Sequence, residues 1–271
     1  MKHLDLAQLC QEVIALAEQG VDFIAKEGLT FDSSKIEHKS PIDMVSYVDK
    51  ETEKMLVAGL QKILPEAGFI TEEGTVAQAT HGLKWVIDPL DGTTNFMHGL
   101  APFSVSIALM DEDDVLIGVV YEVGLRECFY AWKNGGAWCN GKPIKVSNAK
   151  KIANSLIVVG FPYSMDNHKI AYFEILKSLV GNSHGVRRLG SAAADLVYVA
   201  CGRLDAYMEF NIHIWDMAAG LIILEEAGGK VTDFNNTHQH RMGKRLLATC
   251  GAVHEEMLAL IQQHWIEDII L

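Results

Sequence analysis

The chain has 271 residues, 49% of them hydrophobic and 21% charged, a globular composition with ample material for a core. Its formal net charge of −12 excludes the basic face that non-specific nucleic-acid binding requires, and it suits a protein whose carboxylates are partly neutralised by bound metal. No stretch approaches the ~20 apolar residues of a membrane span, and the mixed start, with Asp5, Gln8, Gln11 and Glu12, lacks the apolar run of a signal peptide. The five cysteines, Cys10, Cys128, Cys139, Cys201 and Cys250, are odd in number, widely spaced and free of any C-x-x-C. That is the pattern of isolated reduced thiols, and with the other features it leads us to expect a cytoplasmic protein with no nucleic-acid or membrane partner.

Leu6, Leu9, Val13 and Ala17 recur at helical spacing, with Gly20 as the expected stop. A second helix places Met55, Leu56, Leu60 and Ile63 on one face and ends at Pro65. "GFIT" (68–71) reads as a short buried strand leading into Glu72 and Glu73, and "LKWVI" (83–87) as another leading into Asp88. Apolar runs at 103–110 and 115–123 flank an acidic turn and predict an antiparallel hairpin. Further short strands follow, broken by Gly135-Gly136 and Asn140-Gly141.

After about residue 150 the pattern changes. "SLIVVGF" predicts a strand and 168–180 a helix. "SAAADLVYVACG" predicts a small-residue helix capped by Ser191 and stopped by Gly202. "LDAYMEF" is a strand, "WDMAAGLIILEEAGG" a helix, "LLATCG" a last strand, and an amphipathic helix near 253–265 closes the chain. The expectation is one continuous domain over 1–271, with an α+β half carrying an antiparallel sheet (1–150) and an α/β half (151–271).

Four acids stand at or beyond element ends: Glu72, Asp88, Asp91 and Asp216. Carboxylate oxygens suit hard cations such as Mg²⁺, and no His or Cys stands beside them at ligand spacing. Pro89 stiffens the segment between Asp88 and Asp91 and leaves the Leu90 carbonyl between them. Gly92, Thr93 and Thr94 then open a short helix, whose first amides can cradle phosphate oxygens. Metal ligands and a phosphate cradle so close together suit metal-assisted phosphoryl hydrolysis. Taken singly, each feature has a plainer reading. Asp-Pro and Asp-Gly are common turn dipeptides, Asp216 is an acid favoured in a first helical turn, and Glu72-Glu73-Gly74 is a solvated loop.

Taken together they resemble a known family. "DPLDGTTNF" (88–96) and "WDMAAGLIILEEAGG" (215–229) look like the two signature motifs of the inositol monophosphatase family. "VSYVDKETE" (45–53) and "FITEEG" (69–74) match its accompanying segments in order, and the similarity runs from the first helix to about residue 265. The resemblance implies a layered αβαβα sugar-phosphatase sandwich, commonly a homodimer, that hydrolyses myo-inositol monophosphate with two or three Mg²⁺ per site. It implies one ion at Glu72, Asp88 and the Leu90 carbonyl, a second at Asp88, Asp91 and Asp216, and a weaker third at Glu72 and water. Glu72 and Thr93 would activate the attacking metal-bound water, with Asp49 accepting the Thr93 hydroxyl. Gly92, Thr93 and Thr94 would hold the phosphate. Sensitivity to Li⁺ is a further family expectation.

The alcohol side must set specificity. By resemblance, Glu209 reads ring hydroxyls of a small phosphorylated polyol, helped by Asp91, Asp216 and the backbone at Ser191 and Ala192; otherwise Glu209 is a strand-end surface acid. Arg187 and Arg188 could meet substrate phosphate or a second subunit, with a surface ion pair as the plainer reading. His213 receives no role, and His238 and His240 form an H-x-H of open purpose. Fructose-1,6-bisphosphatase, histidinol-phosphatase and 3′(2′),5′-bisphosphate nucleotidase activities use related folds, as would a non-catalytic interaction protein.

Overall fold

The computed structural model describes residues 4–31, 37–38, 44–161, 168–238 and 245–265. Helix α1 (Leu6–Gly28) starts at Asp5, whose side chain accepts from the Gln8 amide. It runs straight through Gly20, contrary to the expected stop. That glycine is buried, and a Cβ there would lie at van der Waals distance from Leu56 and Thr52, so it is a contact point and not a terminator. Strands β1 (Glu37–His38) and β2 (Met44–Val45) form a small antiparallel pair. Helix α2 (Tyr47–Ile63) opens with a capping box. The Ser46 hydroxyl accepts from the Val48 amide, and the Asp49 carboxylate accepts from the Ser46 amide. It ends at Ile63, directly before the pair Leu64-Pro65, as expected.

A seven-stranded sheet follows in sequential order. Its strands are β3 (Gly68–Thr71), β4 (Leu83–Asp91), β5 (Ser104–Asp111), β6 (Asp114–Glu122), β7 (Glu127–Trp132), β8 (Ala137–Cys139) and β9 (Lys142–Pro143). All neighbours pair antiparallel except β3 and β4, which run parallel with Thr71 opposite Ile87. The second sheet holds β10 (Leu156–Val159), β11 (Gly185–Arg187), β12 (Ala206–Phe210), β13 (Lys230–Thr232) and β14 (Arg245–Thr249), in the order β11-β10-β12-β14-β13. β10 is parallel to both β11 and β12, whereas β14 is antiparallel to its neighbours. β11 and β13 have only three residues each, too few for a period-two pattern to be read. The remaining helices are α3 (Thr93–Met97), α4 (Lys169–Leu179), α5 (Ala192–Ala200), α6 (Ile214–Glu226) and α7 (His254–His264).

Strand alternation sorts side chains into three cores. Trp85, Ile87, Ile107 and Val119 join α1 and α2 on one face of the large sheet. Val86, Ala108, Val120 and Phe129 point the other way, into a layer filled by α5 and α6 and closed by Val158, Tyr207 and Ala248 of the small sheet. Ile157, Val159, Met208 and Leu247 face α4 and α7. The order is therefore helices, sheet, helices, sheet, helices: an αβαβα sandwich. Both sheets are covered on both faces, which is why their strands read as nearly continuous apolar runs. Gly118 seats the central helix, because a Cβ there would overlap the Ala219 carbonyl of α6. Among the described residues no helix is long and apolar enough to cross a membrane, and the five cysteines are free thiols.

Candidate active site

The parallel pairing of β3 with β4 brings two acids together from different elements. With Thr71 opposite Ile87, the next residues on the two strands are Glu72 and Asp88. The Glu72 amide donates to the Ile87 carbonyl at 3.2 Å and fixes that junction. β4 does not end at residue 87 as expected but continues to Asp91 through an irregularity opposite β5. Pro89 sits inside this irregularity, where its missing N–H costs no ladder bond, rather than in a free turn. Asp88 and Asp91 thus share the end of one strand. Asp216 reaches them from the first turn of α6, whose start is tied to β5 by the Ser106 hydroxyl donating to the Trp215 carbonyl.

Ligand atoms of Asp88, Asp91 and Asp216 all lie within 4.8 Å of one another. Glu72 acts electrostatically on both Asp88 and Asp216. Burial first, then the charges of Glu72, Asp91 and Asp216, hold the Asp88 carboxyl well above the usual range. Asp216 is raised likewise, by burial and then by Asp91 and Glu72, against the His213 amide that donates to it at 2.8 Å. Burial pushes Asp91 to about 6, opposed by the Ser191 hydroxyl at 2.5 Å and the Ala193 amide at 2.7 Å. Since Ser191 gives its proton to Asp91, Ser104 must donate to Ser191, at 3.0 Å. The donor set is oxygen only, and its carboxyls stay raised although Arg188 acts on Asp91, which fits a hard divalent cation.

The same shifts carry a pH expectation. A carboxyl raised on folding contributes stability below about pH 4 that is lost as pH climbs through its folded value. For Asp91 that value is about 6, and for Glu209, also raised by burial, about 7. The cation-free protein should therefore lose stability from these groups between about pH 4 and pH 7. Added Mg²⁺ competes with protons for the carboxylates, so its gain in melting temperature should be small near pH 5 and grow toward pH 8. Thermal melts with and without Mg²⁺ across that range check this; a gain independent of pH would contradict it.

Thr93 opens α3. Its hydroxyl lies 2.8 Å from Asp49 Oδ1 and 3.0 Å from the Leu90 carbonyl, so the carbonyl expected between the two aspartates also faces this hydroxyl. Asp49 is fully buried, and its other oxygen takes the Ser46 amide and hydroxyl at 2.9 and 2.7 Å. Burial raises its carboxyl while these bonds and Thr93 lower it. Gly92 is the N-cap with φ 93°, and a side chain there would crowd the carbonyls of Gly190 and Pro102. As first-turn groups, the Thr93 and Thr94 amides have no carbonyl of their own helix to reach.

Three supporting residues had no role in the sequence reading. Glu53 is fully buried on α2, one turn beyond Asp49. It accepts the Glu73 amide at 2.8 Å, the Thr75 amide at 2.8 Å and the Thr75 hydroxyl at 2.7 Å, so it fastens the loop that carries Glu72. Two acids four apart on an otherwise apolar helix face are its sequence signal. Asn95 donates to the Pro102 and Leu189 carbonyls, both at 2.7 Å, and joins α3 to the segment before α5. Gly160 follows β10, and a Cβ there would overlap the Glu209 carboxyl; no local pattern reveals that contact.

The cleft encloses about 290 Å³, toward the small end of ligand pockets. Glu72, Asp88, Leu90, Asp91, Gly92, Thr93, Thr94, Ser191, Ala192, Glu209 and Asp216 all line it; Asp49 stands behind Thr93. Glu209 is half-buried, not a surface acid, and takes the Tyr207 hydroxyl. Gly160→Ala is expected to displace Glu209 and raise KM for a polyol phosphate about tenfold, with kcat little changed. Steady-state kinetics check this; an unchanged KM would remove Glu209 from the alcohol pocket. Arg188 also lines the cleft and, contrary to the ion-pair reading, has no ion-pair partner among the described residues. Arg187 is exposed and donates to the Val186 carbonyl, and Lys230 pairs with Glu255 at 2.6 Å. His213 stacks on Trp215 at the rim. His240 lies outside the described residues.

The fold and the acidic cleft define a class: a layered α/β protein with an oxygen-only cation site where strand and helix ends meet. The family is shown by similarity. The chain belongs to the inositol monophosphatase family, whose model it matches over residues 5–266. It is 38% identical over 250 residues to "Nus factor SuhB" of Pasteurella multocida, covering 92% of this chain and 94% of that one. It is 40% identical over 198 residues to "Inositol-1-monophosphatase" of Mesorhizobium japonicum, covering 73% and 74%. The solved structure of extragenic suppressor protein suhB from Bartonella henselae superposes with a TM-score of 0.89 at 32% identity, over 94% of this chain and 98% of that one.

Proposed function

We propose that the chain hydrolyses myo-inositol monophosphate to myo-inositol and phosphate in a Mg²⁺-dependent reaction. The observation that carries this reading is the convergence of Asp88, Asp91 and Asp216 within 4.8 Å, beside Glu72 and the Thr93–Asp49 pair, in one small cleft. Glu72, Asp88 and the Leu90 carbonyl would hold one ion, and Asp88, Asp91 and Asp216 another. When bound, the ions supply positive charge that promotes ionisation of water and stabilises the leaving oxygen.

The chain's own groups do the rest. The Thr93 hydroxyl donates its hydrogen bond to Asp49, which leaves its lone pairs to receive a hydrogen bond from the attacking water. Glu72, which lines the same cleft, would take the water's second hydrogen bond. The amides at Gly92–Thr94 meet charge on the phosphate oxygens. Half-buried Glu209 accepts from alcohol hydroxyls. A homodimer in a soluble compartment goes with this reading, on the strength of family membership.

One observation favours a second reading. Arg188 is the sole Lys or Arg among the cleft's described lining residues, so a substrate with a second anionic group has a counter-charge available. The name Nus factor on relatives supports a non-catalytic role as a third. Phosphate release from inositol 1-phosphate, fructose 1,6-bisphosphate, histidinol phosphate and adenosine 3′,5′-bisphosphate, measured in parallel, separates them. Preference for inositol phosphate supports the main reading. Preference for a bisphosphate favours the second, and no release from any of them leaves the third.

A further inference from the structure

Tyr207 brings a hydroxyl into a layer that is otherwise apolar. It stands on β12, the middle strand of the small sheet, between Val158 of β10 and Ala248 of β14, and it is fully buried. Among the buried side chains described in the layer around α5 and α6, it is the sole one with a hydroxyl. The residue two further along a strand shares its face, and here that residue is Glu209. The Tyr207 hydroxyl donates to Glu209 Oε2. Burial, and then the charge of Glu209, hold the phenol well above its usual range, so it stays protonated and remains a donor. A phenylalanine would fill the same space with no polar atom to satisfy, so packing alone does not call for the hydroxyl.

The other side of Glu209 is also fixed. Gly160 lies against the carboxyl and offers no side chain to displace it. Gly160 is itself tied at both ends: its amide donates to the Met208 carbonyl at 3.0 Å, and its carbonyl accepts the Tyr172 hydroxyl. From this socket Glu209 lines the cleft. A carboxylate oxygen that holds one hydrogen bond can accept another, so the Tyr207 bond leaves Glu209 able to receive an alcohol hydroxyl. A hydrogen bond from a rigid neighbour also restricts the rotamers of a long flexible side chain, whose ordering otherwise opposes binding. We propose that Tyr207 is a positioning residue for the alcohol pocket, its hydroxyl holding the Glu209 carboxylate in the orientation that receives a substrate hydroxyl. This rests on the phosphatase reading of the cleft. Tyr207 is not among the residues that line the cleft, so it acts on substrate through Glu209.

The test is a double-mutant cycle on inositol 1-phosphate with Mg²⁺. It uses the unaltered protein, Tyr207→Phe, Glu209→Ala and the two combined, with a thermal melt of each. Tyr207→Phe should fold, raise KM about fivefold and leave kcat within about twofold. Added to Glu209→Ala it should change KM by less than about twofold, because the carboxyl it positions is gone. A hydroxyl needed only for packing would act equally in both backgrounds. An unchanged KM or a lowered kcat in Tyr207→Phe, a rise in KM that persists on top of Glu209→Ala, or failure of Tyr207→Phe to fold would overturn the inference while leaving the phosphatase reading intact. Loss of all turnover in Glu209→Ala would overturn it too, by removing Glu209 from the alcohol pocket. An unaltered protein that releases no phosphate would overturn the phosphatase reading and this inference with it.

Discussion

Asp216→Asn is expected to cut Mg²⁺-dependent phosphate release by about a thousandfold or more while raising the melting temperature of the cation-free protein. The two effects have one cause. Asp216 is half-buried beside Asp91 and under the influence of Glu72, and its carboxyl is held well above the ordinary range. The repulsion is tolerable only if positive charge is supplied. An asparagine keeps an oxygen to accept the His213 amide, now at 2.8 Å, so the first turn of α6 should survive. It removes a negative charge, which relieves the cation-free cluster and weakens its hold on a divalent ion. Activity assays and melts on the same preparation decide the matter. Near-normal turnover would mean that Asp216 holds no catalytic ion, and a large fall in melting temperature would mean that its main role is to cap α6.

Glu53→Ala should show the opposite pairing, with stability and turnover falling together. Three part-buried donors, the Glu73 amide and the Thr75 amide and hydroxyl, would lose an acceptor that is itself fully buried. We expect a loss of about 3 kcal/mol, the range for breaking a buried hydrogen-bond network. The same bonds hold the segment after β3, so Glu72 would no longer be fixed beside Asp88. A fall in kcat of about a hundredfold follows, with KM less affected. Glu53→Gln, which keeps one acceptor, should lie between. Urea denaturation and steady-state kinetics provide the two numbers. Lost stability with full kcat would show that the loop does not need Glu53 to position Glu72.

The two signature stretches could be read directly because their chemistry is local. Asp88, Asp91, Gly92, Thr93 and Thr94 are consecutive or nearly so, and the structure keeps them at one strand-to-helix junction. The residues that depend on register or on distant contacts could not be read this way. Glu72 reaches Asp88 only because β3 and β4 pair in parallel, at an edge of a sheet whose other pairs are antiparallel. A glycine can stop a helix or lie at a helix contact, and nothing near Gly20 in sequence says that Leu56 and Thr52 lie beside it. The length of β4 was underestimated because Pro89 breaks a strand unless an irregularity absorbs it, and that irregularity is defined by the partner strand β5. Gly160 matters through a contact with Glu209, dozens of residues away. The layered order is implied by the family resemblance; the residue patterns themselves show an antiparallel half followed by an α/β half, because covering both sheets on both faces leaves apolar runs that alternate with helical patterns.

The most direct test of the central claim is phosphate release from inositol 1-phosphate by protein stripped of divalent cations, with Mg²⁺ then titrated back. If Asp88, Asp91 and Asp216 serve to hold cations against a phosphate, release should be absent at the start and should rise to a plateau with added Mg²⁺. Release that continues undiminished in excess chelator would contradict the account, because the acidic cluster would then have no part in the reaction.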